Sequence, residues 1–167
     1  MRKVFTILMV ALFSTISFGQ SIEKHLDVME DKTYWLAYGS PIYYTGDGEG
    51  FALRPFLGGR KNEHGIPSVD ALHVKTVGLG CVENMEMIIL FEDGSKMTRK
   101  SLNKFNCDGN SYFLLNEKSV DELSTKEIST VRVTNGRNYK SHTIKSEDPS
   151  YFIRLKELID NGIYTEK

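Results

Sequence analysis

The chain has 167 residues, with 21 basic against 22 acidic side chains and a formal charge of −1. No block of five like charges occurs. The nearest basic group, Lys96, Arg99, Lys100 and Lys104, would be divided between the two faces of a strand, which leaves no surface for nucleic acid.

The first residues set the expected compartment. Arg2 and Lys3 precede an uncharged run from Val4 to Phe18, and Ser17 and Gly19 are small where a signal peptidase would cut before Gln20. This pattern predicts a cleavable secretory signal over residues 1–19. The run holds 15 residues and is diluted by Thr6, Ser14, Thr15 and Ser17, whereas a membrane span needs about 20 apolar residues. No cysteine sits at the cleavage site, so neither a lipid attachment nor a membrane anchor is expected once the signal is removed. Removing 19 residues from 167 leaves 148, from Gln20 or Ser21 onward, the size of one domain over residues 20–167. Without Arg2 and Lys3, 19 basic face 22 acidic side chains, a formal charge of −3.

Along the mature chain, Ile22, His25, Leu26 and Met29 stand at helical spacing and predict a short amphipathic helix over Ile22 to Glu30. Aromatic and β-branched residues then predict strands at Tyr34 to Tyr38 and Ile42 to Tyr44, around Gly39-Ser40-Pro41. Gly46 to Gly50 breaks the chain, Phe51 to Phe56 reads as a strand, and Leu57 to Ser68 reads as a polar loop. Further strands are expected at Ala71 to Leu79, Met85 to Glu92, Ser95 to Ser101, Ser111 to Asn116, Ile128 to Thr134 and Asn138 to Ile144. Asp93-Gly94, Asp108-Gly109 and Asn135-Gly136 each predict a tight reversal. The continuous apolar run Met87 to Phe91 suits a strand buried on both faces, while Val131-Arg132-Val133 alternates. Ser119-x-x-Glu122 predicts a capping box opening a turn or two of helix. The last element is a helix with Asp148 as cap and Pro149 in its first turn. Tyr151, Phe152, Leu155, Leu158 and Ile159 form one apolar stripe before Asn161-Gly162 stops it.

Cys81 and Cys107 are the only cysteines, and an even count in an exported domain reads as a structural bridge. A two-residue Asp93-Gly94 turn would set Glu92 opposite Ser95, so that paired positions sum to 187, and Cys81 and Cys107 sum to 188. One bulged residue would bring them opposite each other, with Asn84 and Asn103 interrupting the ladder.

The run Gly78-Leu79-Gly80-Cys81-Val82-Glu83-Asn84 is followed by Ile88 to Gly94, then by Asn103 to Gly109, and finally by a Tyr151-Phe152-Ile153 helix. In word order and spacing, over roughly Thr33 to Ile159, the chain resembles small exported Gram-negative bacterial β-rich proteins of unknown function. The resemblance implies an exported, bridge-stapled domain and carries over no site residue.

Signals of chemistry are sparse. Asp47 and Glu49 lie in a glycine-rich loop that lacks the third acid and the bidentate glutamate of a calcium loop, and so read as a solvated turn. Glu63, His64, Asp70 and His73 are irregularly spaced for zinc, and His25 and His142 stand alone. There is neither a Gly-x-Ser-x-Gly turn nor a phosphate-cradling Gly-x-x-x-x-Gly-Lys loop. No catalytic residue, metal or cofactor is therefore assigned.

The unusual feature is the aromatic density from Tyr34 to Phe56. Adjacent strand residues point to opposite faces, so one of Tyr43 and Tyr44 should reach the surface. Trp35, Tyr43, Tyr44 and His64 are the candidate ligand patch, with a carbohydrate or an envelope protein as partner. The expected fold is mainly β, an antiparallel sheet that is sandwich-like or curled with a C-terminal helix packed on it. The expected function is an exported, periplasmic or secreted, non-enzymatic binding or structural module. The alternative is a small hydrolase using Asp70 and His73, with or without a metal.

Overall fold

The computed structural model describes residues 19–39, 42–46, 49–77, 81–102, 105–134, 139–143 and 148–167, with side chains described except in 42–46, 49–51, 82–83, 105–106 and 139–143. The expected leader, but for Gly19, the tip of the Asp47 loop and the Asn135-Gly136 turn lie outside the described residues. In chain order the elements are β1 (Ser21–Asp27), β2 (Lys32–Tyr38), β3 (Ile42–Gly46), β4 (Glu49–Lys61), β5 (Pro67–Val77), β6 (Val82–Glu83), β7 (Glu86–Phe91), β8 (Lys96–Lys100), β9 (Phe105–Asn106), β10 (Asn110–Leu114), α1 (Glu117–Thr125), β11 (Ile128–Thr134), β12 (Tyr139–Thr143), α2 (Tyr151–Asp160) and β13 (Thr165–Glu166). The fold is mainly β, as expected.

Two four-stranded antiparallel sheets, ordered β10-β5-β4-β3 and β12-β11-β7-β8, line one core. Their inward rows are apolar at every second residue. Leu53, Leu72, Val74 and Phe113 come from the first sheet, and Met87, Ile89, Val131 and Val133 from the second. The sheets curl toward each other at the edges β8 and β10, where the backbone N–H of Leu102 donates to the Tyr112 carbonyl at 2.8 Å. A third sheet, β13-β1-β2, contributes Ile22 to the same core. Its β13 runs parallel to β1.

α2 covers the core with Tyr151, Phe152, Leu155 and Ile159, all buried, each contributing about 2 kcal/mol by removal from water. Gly162, at φ +67°, ends it, and the Ile163 N–H returns to the Leu158 carbonyl. Asp148 does not cap this helix. Ser150 holds the cap position without a side-chain bond, and Asp148 pairs with Arg154 instead.

Several local expectations give way to long-range pairing. Residues 22–30 do not form a helix. Ser21–Asp27 is strand β1, because β2 pairs along its whole length and β13 closes its other edge. The stretch 57–68 is not a loop either, since β4 and β5 run on to a five-residue connection at 62–66. Gly58 and Gly59 stay extended because their bare Cα atoms admit the partner strand's side chains. A Cβ on Gly58 would lie 2.9 Å from Asp70 Oδ2, and one on Gly59 would lie 2.2 Å from Ser68 Oγ. Asn62 organises the connection, accepting from the backbone N–H groups of His64 and Ile66 and donating to the Ile159 carbonyl of α2.

The Asp93-Gly94 hairpin has a three-residue loop rather than two. Glu86 faces Lys100 and Leu90 faces Lys96, Gly94 takes φ +82°, and its N–H donates to the Phe91 carbonyl. Asp93 accepts from the Ser95 backbone N–H and Oγ and pairs with Lys126 at 2.9 Å, and this lowers its pKa to about 2. β7 is buried on one face and half-buried on the other, not sealed on both. Asp108-Gly109 closes no hairpin. It passes the chain to β10, which pairs with β5, and the Thr76 N–H donates to the Gly109 carbonyl. The cap of α1 is Asn116, three residues before the expected Ser119. Its Oδ1 accepts from the Ser119 N–H and Oγ.

The expected bridge is present. Cys81 and Cys107 are disulfide-bonded, with Cα atoms 3.9 Å apart. The neighbouring pairs, Val82 with Asn106 and Glu83 with Phe105, run in the register that sums to 188. Asn84, at φ +49°, separates this short ribbon from the β7–β8 hairpin. The bridge closes a loop with a sequence separation of 26, worth about 3.5 kcal/mol in the chain-entropy picture. The paired substitution Cys81→Ser with Cys107→Ser should lower unfolding free energy by about that amount in guanidinium titration, and reductant should shift the wild-type midpoint but leave the variant unmoved.

Candidate functional site

β2 is the last strand of its sheet, and β3 stops pairing with β4 at Leu53. From Arg54 onward β4 therefore has a free edge among the described residues, and β2 lies beside it without a hydrogen-bonded ladder. Pro55 suits such an edge, since it has no N–H to pair. Between the two edges lies a groove of about 570 Å³ walled by Trp35, Tyr38, Arg54, Phe56, His73 and Tyr112.

Cross-strand register builds the wall. His73 of β5 stands opposite Arg54 of β4 and Tyr112 of β10, and Phe56 follows Arg54 on the same face. His73 and Tyr112 stack with centroids 4.8 Å apart at 21°. The His73 Nε2–H donates to Asn110 Oδ1 at 3.0 Å, which holds the ring in place. Phe56 is 53% exposed and Tyr112 42%, so both present ring surface to solvent. Arg54 has no ion pair among the described residues.

On the β2 side, Tyr38 and Trp35 occupy opposite faces of the strand. The Tyr38 hydroxyl is held above its ordinary pKa by desolvation and then by the Glu23 carboxylate, which also pairs with His25 at 2.9 Å. The Trp35 ring meets Tyr164 edge-on at 5.0 Å, and its Nε1–H is buried with no acceptor among the described residues. Tyr151 fixes this wall. Its buried hydroxyl donates to the Gly39 carbonyl at 2.9 Å, and Gln20 Nε2 donates to the Tyr151 carbonyl. Burial, then Asp148, pushes the Tyr151 phenol up, so it stays a donor at every ordinary pH.

Of the residues singled out from sequence, Trp35 lies in this groove. The side chains of Tyr43 and Tyr44 lie outside the described residues. His64 does not line the groove. It packs under the end of α2, where a Cβ on Gly162 would come within 2.8 Å of its Cγ. Phe56, His73, Tyr112 and Arg54 were not placed in the patch by sequence reasoning. The signal for them was an outward strand row carrying rings where polar residues are usual, visible once the register is known.

Asp70 and His73 are not brought together. A bulge at Asp70 shifts the β4–β5 register between Phe56 and Leu57, and Asp70 lines a separate cleft beside α1. Its Oδ1 is buried without a hydrogen-bond partner among the described residues. Desolvation raises its pKa, partly offset by its own N–H and that of Gly58. Among the described residues no three His, Cys, Asp or Glu side chains gather as a metal site, and no helix is long and apolar enough to cross a membrane.

A carboxyl whose native pKa lies above its unfolded value favours folding below the usual carboxylate range and loses that contribution as pH rises through the raised value. Asp70→Asn should therefore raise Tm at neutral pH, and the gain should shrink toward zero below about pH 4, measured by thermal melts across that range. No family model matches this chain, and neither a curated protein nor a solved structure matches it.

Proposed function

We propose that this protein is an exported binding module, and that the groove between β2 and β4 takes a carbohydrate chain. The observation that carries the reading is the concentration of Phe56, Tyr112 stacked on His73, Tyr38 and Trp35 around one groove, together with Arg54, which has no ion pair among the described residues. Aromatic faces bring large contact area at little entropic cost and pack against the apolar faces of sugar rings, while the Arg54 guanidinium supplies hydrogen bonds to ring substituents. The intact disulfide fits an oxidising compartment, which supports the reading of the leader.

Two experiments test this. Amino-terminal sequencing of the protein recovered from the periplasm or medium should begin at Gln20 or Ser21, and recovery of the full-length chain from the cytosol would overturn export. On a glycan array, the wild type should retain a defined class of oligosaccharide. Phe56→Ala combined with Tyr112→Ala should weaken it by about tenfold or more, since each ring is worth roughly 0.5–1.5 kcal/mol. Retention unchanged by that pair, or no retention of any glycan, would refute the sugar reading.

A second reading rests on the edge of β2 that is unpaired among the described residues and on the β1–β2 turn, where Val28 is 80% and Met29 94% exposed. An envelope-protein partner would add an extended segment to β2. In that case Thr33→Pro, which removes an N–H directed away from β1, should abolish capture while the aromatic pair leaves it intact.

A further inference from the structure

A second cavity shares no lining residue with the aromatic groove. α1 and α2 splay over the far ends of β4 and β5 and leave a slot of about 220 Å³. Its walls are Val69, Leu115, Val120, Leu123, Phe152 and Ile159, four of which (Val69, Leu123, Phe152 and Ile159) are nearly fully buried parts of the core. Helices packed on a sheet usually close such a gap. Here the Asn62 side chain donates to the Ile159 carbonyl and holds the end of α2 on the β4–β5 connection, and α1 spans only nine residues from its Asn116 cap.

The charge around the slot is uneven. Arg60, Lys61 and Lys156 line it against one carboxylate, Asp160, and that carboxylate is already engaged by Lys156 at 2.5 Å. The Arg60 and Lys61 side chains have no ion pair or hydrogen bond among the described residues. The acidic residues Asp70, Glu117 and Asp121 line the adjoining, more open lobe instead.

We propose that this slot is a second binding site, for a single-chain anionic amphiphile of the fatty-acid class, whose hydrocarbon chain lies along Leu115, Val120, Leu123 and Phe152 and whose carboxylate meets Arg60 and Lys61. An apolar wall selects the chain by removing it from water, and two unengaged cations at its border select the sign of the head. A neutral or cationic amphiphile of the same length gains the first contribution and forfeits or reverses the second.

Titration calorimetry of the wild type with decanoate, decanol and decyltrimethylammonium, each kept below its micellar concentration, tests this directly. Decanoate should bind with an affinity at least about tenfold above that of the cation. Arg60→Gln with Lys61→Gln, both exposed and away from the core, should erase that difference. Val120→Trp, which fills the slot, should abolish decanoate binding, and the charge pair keeps the test intact if the tryptophan variant fails to fold. The proposal is overturned if decanoate does not bind at up to about 1 mM, if the cation binds as well, or if the charge pair changes nothing. Glycan binding by the aromatic groove should be unaffected by the charge pair in every case.

Discussion

The geometry of the aromatic groove depends on one buried phenol. The β13-β1-β2 sheet shares no hydrogen-bonded ladder with either large sheet among the described residues, so its position is set by side chains rather than by strand pairing. Tyr151 supplies the main clasp: its ring is in the core beside Phe152, and its hydroxyl reaches the Gly39 carbonyl at the end of β2. Gln20 closes the same joint from the other side by donating to the Tyr151 carbonyl. A buried donor of this kind is costly to leave unpaired, which is what makes the contact directional as well as cohesive. Ile22 adds the apolar share of the docking. With β2 held there, an open channel remains between two strand edges that would otherwise pair.

The second organising feature is the bulge at Asp70. β5 is apolar inward at Pro67 and Val69, then inward again at Leu72, Val74 and Thr76, so the alternation changes phase once along the strand. That change lets a single long strand serve two different surroundings. Its lower half packs beneath the helices, and its upper half carries His73 outward into the aromatic wall. The cost appears locally as a carboxyl with one buried oxygen that has no hydrogen-bond partner among the described residues, and two glycines that must remain bare beside it. Asp70 and His73 sit three residues apart in sequence, yet Asp70 lines the cleft beside α1 and His73 the aromatic groove, and no hydrogen bond joins them among the described residues.

Local sequence carried a good deal of this. β11 has the expected limits, and β7, β8 and β10 differ from expectation by a residue or two at their ends. Their alternation and their bounding turns are short-range signals. The apolar stripe of α2 is likewise a property of ten consecutive residues. Cys81 and Cys107 could be matched from register arithmetic alone, although the two extra positions enter near Asn84 and not as one bulge within a continuous hairpin.

Sequence by itself determined the mainly β class, the terminal helix with its buried face and the single cysteine pair, because each follows from periodicity, turn chemistry or counting within the chain. Only the tertiary structure decided that Ser21–Asp27 is a strand, since helical spacing at Ile22, Leu26 and Met29 yields to pairing with β2 and with a strand that lies near the far end of the chain. It also decided which rings share a surface. Trp35, Phe56, His73 and Tyr112 come from four strands, and their meeting depends on how those strands align and on which edges stay unpaired. Hydrogen-bond register between distant segments is a property of the folded pair, not of either segment alone.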